Sequence, residues 1–293
     1  MAIQPSPIRG ALFSLASFAS YACCDVALKY LGQDMSSLQV VWVVAAFSLP
    51  FILGQMLWTD RHASLRPMLW GWTLARVAIT VVNSIFVTYT FTHLPLAQCY
   101  AIFFTMPLMI TLFAWPFLGE PIDPLRGGII LLGFGGVLVA VQPGSTSFQL
   151  GHLTAILGAT LGAMNSLILR RIGERERAGV ILLYPVLAQG LVGSALLPFV
   201  WQPMPVHSLI AGTILGFLGT CGGLFIIAAY RRAPAIVVAP MQYSQILWAS
   251  TIGYFLFGET PGLVTVLGIG IIIAAGLGLL AMSNRSKVQN SPA

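Results

Sequence analysis

The chain has 293 residues, 57% of them hydrophobic and 8% charged, with a formal net charge of +6. A soluble domain carries about 25% charged side chains, so the composition excludes an ordinary soluble enzyme or binding module and points to an all-α integral membrane protein. The basic residues form no contiguous patch, which argues against a nucleic-acid partner.

Apolar runs near or above the roughly 18 residues that suit a spanning helix recur along nearly the whole chain, whereas barrel strands would alternate in polarity. Ten transmembrane helices are predicted, at 10–31, 37–58, 69–91, 95–117, 125–142, 152–171, 179–200, 208–230, 235–257 and 262–282. In the first, Ser14, Tyr21 and Asp25 recur at helical spacing beside Ser17, and Lys29 follows Asp25 by one turn. Lys29 lies about 30 Å along the helix from Gly10, where its head can snorkel to the interface. A carboxylate inside a bilayer costs at least about 2–3 kcal/mol, so Asp25 is either half of an ion pair with Lys29 or a substrate or proton site. The apolar run after Arg9, ending Ser20-Tyr21-Ala22, has the outline of a signal peptide. Cleavage would remove the first helix, so retention is the expectation.

The second span is largely apolar, apart from Ser48 and Gln55. The third places Arg76, Thr80, Asn83 and Thr90 on one narrow face, and a polar stripe in lipid lines either a helix contact or water. Arg76 lies about 10–12 Å inside one end by helix rise. Facing a cavity, its guanidinium offers a planar fork to a carboxylate or phosphate; the other reading is snorkelling or a structural ion pair. In the fourth span Pro95 suits the first turn, and Gln98, Ile102, Thr105 and Met109 make one face. Pro107 predicts a kink or an exposed carbonyl in mid-membrane, a break that either serves a transport site or is only structural. The fifth and tenth spans are rich in glycine, suited to close contact inside the bundle or between protomers.

PGSTS, at 143–147, is the candidate linker between two halves. The sixth span holds Gly158 and Gly162, then Asn165 and Ser166 at about the depth of Asp25. A buried amide there is either a helix–helix hydrogen bond or a ligand contact. The eighth carries Gly212, Gly216, Gly219 and Gly223, a packing face. The ninth presents Gln242, Tyr243, Ser244 and Gln245 in mid-membrane, with Trp248 a turn further on. Cys23, Cys24, Cys99 and Cys221 all fall within spans, with no C-x-x-C or His/Cys cluster, so neither a disulfide, a metal site nor a cofactor is expected. Short loops without a nucleophile–base cluster or nucleotide-binding motif leave no candidate catalytic residues and disfavour an enzyme.

One segment returns. Leu94–Glu120 reappears 139 residues later as Ala233–Glu259, with Pro95 on Pro234, Leu108 on Leu247, Thr105 on Ser244, Phe104 on Tyr243 and Gly119-Glu120 on Gly258-Glu259. Two copies of one unit, residues 8–143 and 151–284, are the resulting expectation. With the N-terminus in the cytoplasm, twelve of the fourteen basic residues fall in cytoplasmic segments and none in the opposite loops, as positive-inside sorting requires. Only Lys29 and Arg76 lie well inside spans; Arg126, Arg170 and Arg171 stand at span ends on the cytoplasmic side. An odd number of helices per copy starts the second copy on the opposite side, so the expected fold is two inverted five-helix repeats with both termini cytoplasmic.

Ten helices in inverted repeats, together with Leu94-Pro95-Leu96-Ala97, Phe104, Pro107-Leu108, Leu118-Gly119-Glu120, Gly133-Phe134-Gly135-Gly136-Val137 and Gln142-Pro143-Gly144, resemble the drug/metabolite transporter superfamily in its EamA-type branch. Pro234, Gly258-Glu259 and Gly276 are similar in the second half. The resemblance implies secondary transport across the inner membrane by alternating access. The expected cargo is a small polar organic metabolite such as an amino acid or related zwitterion, with export the expected direction. Arg76 ahead of the L-P-L-A turn looks most like the branch that carries S-adenosylmethionine and riboflavin, which makes uptake or exchange of such metabolites the alternative. Gln98 departs from that branch, where an acidic residue is frequent. If the cavity is surrounded as in the family, Arg76 and Asn83 meet Tyr21, Asp25, Gln242 and Gln245, with Thr105 and Asn165 nearby. Arg76 then takes an anionic group and Asp25 a cationic group or proton, between walls of Tyr100, Tyr243 and Trp248. Protons or a counter-substrate are the candidate coupling partners, and the protein is expected as a monomer or homodimer. The rival classes are a membrane-embedded enzyme and a non-transporting membrane subunit. The Gly-Glu pairs are read as helix C-caps rather than ligands.

Overall fold

Apolar runs in a medium without water must satisfy their backbone groups within the segment, which a helix does. The computed structural model describes residues 7–59, 65–118, 124–141, 149–172, 175–230, 232, 238–258, 260 and 262–289, and all regular structure among them is helical. The helices are α1 (Pro7–Leu31), α2 (Ser37–Thr59), α3 (Trp70–His93), α4 (Leu96–Phe103), α5 (Met106–Leu118), α6 (Pro124–Val141), α7 (Leu150–Ile172), α8 (Ala178–Val200) and α9 (Val206–Tyr230). A short 3-10 helix (Ala239–Tyr243), α10 (Ser244–Phe257) and α11 (Leu263–Gln289) follow. Six of these, α1, α2, α3, α7, α8 and α9, are long and apolar enough to cross a membrane. They coincide with the first, second, third, sixth, seventh and eighth predicted spans. Shorter apolar stretches occupy Leu96–Ile110, Gly127–Ala140 and Leu263–Gly278.

The fourth predicted span is interrupted. Phe104 and Thr105 form a turn between α4 and α5, which leaves Pro107 in the first turn of α5, where a missing N–H forfeits no bond. The break thus falls two residues ahead of the proline. The ninth is interrupted as well, which the sequence reading did not anticipate: the 3-10 helix, with Pro240 at its start, gives way to α10 at Ser244. Both breaks close with the same hydrogen bond, from the Thr105 hydroxyl to the carbonyl of Ile102 at 2.6 Å and from the Ser244 hydroxyl to that of Met241 at 2.6 Å. The two bonds are 139 residues apart at both donor and acceptor.

The helices pack in pairs, α1 on α9, α3 on α7, α2 on α8 and α6 on α11. Glycine brings the last pair together: a methyl on Gly136 would lie 2.9 Å from the carbonyl oxygen of Gly268, and one on Gly268 would meet the backbone nitrogen of Ala140. These glycines therefore serve contacts inside the bundle. Gly258 ends α10 with φ 66° and its N–H on the carbonyl of Tyr254, the left-handed cap expected of the second Gly-Glu pair. Gly119, Glu120 and Glu259 lie outside the described residues.

An acidic side chain fastens each of two helix starts. Glu176, 4% exposed, accepts the Leu69 backbone N–H at 2.6 Å and the Thr73 hydroxyl at 3.4 Å, placing negative charge at the start of α3. Asp34 accepts His207 Nε2 at 2.7 Å and the Ser208 hydroxyl at 2.9 Å at the start of α9. The hydrogen bond from His207, and then that from Ser208, holds the Asp34 carboxyl below its ordinary range. A depressed folded value stabilises above the unfolded value of about 3.9 and is lost as pH falls through the lower folded one. Asp34→Asn is therefore expected to lower the melting temperature at pH 7, with the gap from the unaltered protein closing below about pH 4. A gap that stays constant down to pH 3 would refute this account.

Candidate functional site

The site is built on Asp25, three-quarters of the way along α1. Its Oδ2 accepts the Tyr100 hydroxyl at 2.6 Å and Gln245 Nε2 at 2.7 Å. Tyr100 stands on α4, just before the first break, and Gln245 on α10, just after the second. The carboxylate thus joins both interrupted helices. Two donors on one oxygen offset part of the cost of removing a carboxylate from water, and Asp25 remains only half-buried.

Tyr100, 2% exposed, was expected as an apolar wall, and its ring does pack so; its hydroxyl is also a donor to the carboxylate. The ring belongs to a run of aromatic contacts, Phe91 to Tyr100 at 5.8 Å, Tyr100 to Phe104 at 5.7 Å and Phe104 to Tyr243 at 5.2 Å between centroids. These carry the core from α3 across α4 to the second interrupted helix. The Tyr243 hydroxyl is buried with no hydrogen-bond partner and presses on Gly276, where any Cβ would overlap it. Gln242, beside it, is half-buried, while Trp248 is 47% exposed. Lys29, one turn beyond Asp25, donates to the carbonyl of Leu94 at 2.8 Å and stands 5.5 Å from the centroid of the Phe257 ring.

The polar stripe of α3 faces α7 over most of its length. The Thr80 hydroxyl reaches the Arg76 carbonyl at 2.7 Å and Asn165 Oδ1 at 3.3 Å, and Thr90 shares a hydrogen bond with Thr154 at 2.9 Å. Asn165 therefore makes a helix–helix contact. A methyl on Gly158 would lie 3.2 Å from Val87 and 3.7 Å from Asn83 Oδ1, so small residues on α7 admit the stripe. Asn83 Oδ1 is buried without a partner. Arg76 turns to α8 and donates from Nη1 to the Ile181 carbonyl at 2.8 Å, its Nε buried and unpartnered. The Tyr21 ring packs against Gly222 of α9. The Thr105 hydroxyl is spent on its own break.

Sequence reading found Asp25 and Gln245 but not the bond between them, since 220 residues separate the two. It set Ser244 opposite Thr105 in the repeat frame but did not place it in the site. Asp34, Glu176, His207 and Ser208 carried no local signal, because each lies near a helix end, where polar residues are ordinary.

A bundle of six membrane-length helices, with two further helices interrupted beside one half-buried carboxylate, fits a multi-pass membrane protein of the transporter class. The EamA-like transporter family matches residues 8–142 and again 149–281, and the chain belongs to that family. It is accordingly a transporter of the drug/metabolite superfamily and not an enzyme. Relatives include the S-adenosylmethionine uptake transporter of Rickettsia felis, 26% identical over 96% of this chain and 97% of the relative. The riboflavin transporter of Brucella anthropi is 26% identical over 91% and 96%, and the pseudopaline exporter of Pseudomonas aeruginosa 23% over 92% and 95%. A crystal structure of a protein 16% identical to this chain superposes with a TM-score of 0.69, covering 96% of this chain and 99% of that one, a likeness of fold alone.

Proposed function

We propose that the protein is a secondary transporter of a small polar organic metabolite bearing both charges, an amino acid or related zwitterion, working by alternating access in the inner membrane. The observation that carries this reading is Asp25 held between Tyr100 and Gln245, one from each interrupted helix. A rearrangement of either half displaces a donor from the carboxylate, and a cationic group or a proton is the natural replacement. Asp25, Tyr100 and Gln245 form the cationic end of the proposed site, with Tyr21, Gln242 and Tyr243 around it. Arg76 and Asn83, each with a buried atom lacking a partner, form the end that takes an anionic group; Thr105 and Asn165 are further proposed members of the site and Trp248 one of its apolar walls.

The proposed architecture is ten spans in two inverted repeats, 8–143 and 151–284, each interrupted helix counting once and both termini cytoplasmic. Three observations support it. The family matches the chain twice. The bond closing each break recurs at the repeat distance. The pairs α1–α9 and α3–α7 exchange when the halves are swapped, while α2–α8 and α6–α11 map onto themselves.

Export is the proposed direction. Uptake or exchange of an S-adenosylmethionine-like or riboflavin-like metabolite is the second reading, favoured by relatives that bear those names. Counterflow into proteoliposomes preloaded with amino acids, S-adenosylmethionine or riboflavin, at several pH values, separates them. Arg76→Ala is expected to abolish flux of any substrate with an anionic group, whereas Arg61→Ala, which falls in sequence between the second and third predicted spans, leaves it nearly intact. Equal, mild effects of the two would remove Arg76 from the site, and no flux across the whole panel would overturn the transport reading.

A further inference from the structure

A groove of about 560 Å³ opens where α1 begins and α9 ends, lined by Arg9, Leu12, Phe13, Ala16, Phe225 and Arg232. Four of the six lining residues are apolar and the other two are arginines. The rings of Phe13 and Phe225 stand 6.1 Å apart, and Leu12 is 60% exposed beside them. Arg232 is fixed in place: its guanidinium carbon lies 4.7 Å from the centroid of the Phe13 ring, and Nη1 donates to the Ala228 carbonyl at 3.0 Å. An arginine has five N–H donors in a planar fork, so stacking and one backbone bond leave the fork oriented without using it up. Arg9 is exposed on the first turns of α1, which begins at Pro7, and α9 finishes at Tyr230. Both charges therefore sit at helix ends, while Leu12 to Ala16 lead about 10 Å along α1 from Arg9.

We infer that this groove binds one anionic glycerophospholipid, its phosphate held between Arg9 and Arg232 and one acyl chain lying along Leu12, Phe13, Ala16 and Phe225. The chemistry selects this occupant. A neutral lipid would fill the apolar trough but bring no anion to the two arginines that line it. A soluble phosphate would meet the cations but leave the trough empty. Basic pockets between membrane helices are the usual seats of anionic headgroups. At the position 139 residues earlier, where the other half has its matching corner, His93 stacks on Tyr89 with centroids 3.9 Å apart, so the feature belongs to one end of the molecule. Asp25 lies roughly 14 Å further along α1 than Ala16, which sets the groove apart from the proposed transport site.

The inference needs only a bilayer around the protein, and a binding readout keeps it independent of the transport reading. The full chain, purified in detergent with equal phosphatidylglycerol and phosphatidylcholine, is to be weighed intact by native mass spectrometry. One phosphatidylglycerol is expected to remain bound in preference to phosphatidylcholine. The Arg9→Gln/Arg232→Gln protein is expected to lose that preference by tenfold or more, roughly the worth of two interfacial cations, and Arg171→Gln to keep it. Ala16→Trp, which fills the trough without touching charge, is expected to reduce retention of both lipids, and it serves the test should the double variant fail to fold. No preference for phosphatidylglycerol in the unaltered protein would overturn the inference. So would full retention in Ala16→Trp, or displacement of the lipid by millimolar glycerol phosphate, either of which would mark an anion site without an acyl seat.

Discussion

Asp25→Asn is expected to reduce substrate flux by about 30-fold or more while the protein still folds. Truncating one partner of a buried, hydrogen-bonded charge pair costs about 2–5 kcal/mol, and the amide cannot replace the charge that a cationic group or proton would meet. Folding should survive because Asn retains an oxygen to accept from Tyr100 and Gln245, now 2.6 and 2.7 Å from the carboxylate. Tyr100→Phe and Gln245→Leu act differently. Each frees the carboxylate of one donor and leaves the charge, so substrate affinity should change more than the maximal rate. Initial rates of counterflow in proteoliposomes, normalised to inserted protein, provide the measurement. Asp25→Asn with unaltered flux would show that the carboxylate is a structural strut between the two interrupted helices.

The second large effect is expected at Gly276. A methyl there would coincide with the Tyr243 hydroxyl, and overpacking a tight interior typically costs about 1–3 kcal/mol. Gly276→Ala should thus lower the melting temperature measurably in detergent. Tyr243→Phe alone should be neutral or stabilising, because the hydroxyl it removes is buried without a partner. Combined with Gly276→Ala it should restore part of the loss, the ring carbon Cζ remaining 2.7 Å from the added methyl; a double-mutant cycle reads this coupling directly. If Tyr243→Phe does not rescue, the clash is not the cause. If the single change abolishes flux while leaving stability intact, the hydroxyl is a substrate contact awaiting its ligand.

The length and order of the helices were legible in the sequence because the bilayer imposes a coarse rule: a span such as α2 or α8 must be apolar for about 20 residues. Asp25 stood out for the same reason, as a charge in an apolar run. Rotation about each helix axis obeys no comparable rule. The stripe from Thr80 to Thr90 was compatible with a cavity or a seam, and only Asn165 and Thr154 on α7 identify the seam. Tyr100 reads as a wall residue until its hydroxyl is seen on Asp25. The second break had a visible proline, Pro240, yet proline is common in membrane helices, and the 3-10 turn that moves the break to Ser244 has no sequence signature of its own. Asp34 and Glu176 reach partners 173 and 107 residues away, beyond what local pattern can carry.

The pairing of the helices has a consequence for how the chain can change. In the proposed repeat, α2–α8 and α6–α11 resemble the isologous contacts of a two-fold dimer, each element meeting its own counterpart. On that reading the seams α1–α9 and α3–α7 are one contact made twice, and the two copies need not be alike. They differ in this structure. The α1–α9 seam is stitched by side chains onto backbone, Ser17 to the Gly222 carbonyl at 2.8 Å and Cys24 to that of Leu215 at 3.6 Å, whereas α3–α7 adds to one such bond, Thr90 to the Gly151 carbonyl at 3.5 Å, the side-chain pairs Thr90 with Thr154 and Thr80 with Asn165. Seams of unequal strength give two otherwise mirrored conformations unequal free energies. If the halves rock as proposed, an empty carrier with unequal seams is expected to have a preferred resting side written into its helix contacts, before any gradient or cargo acts on it.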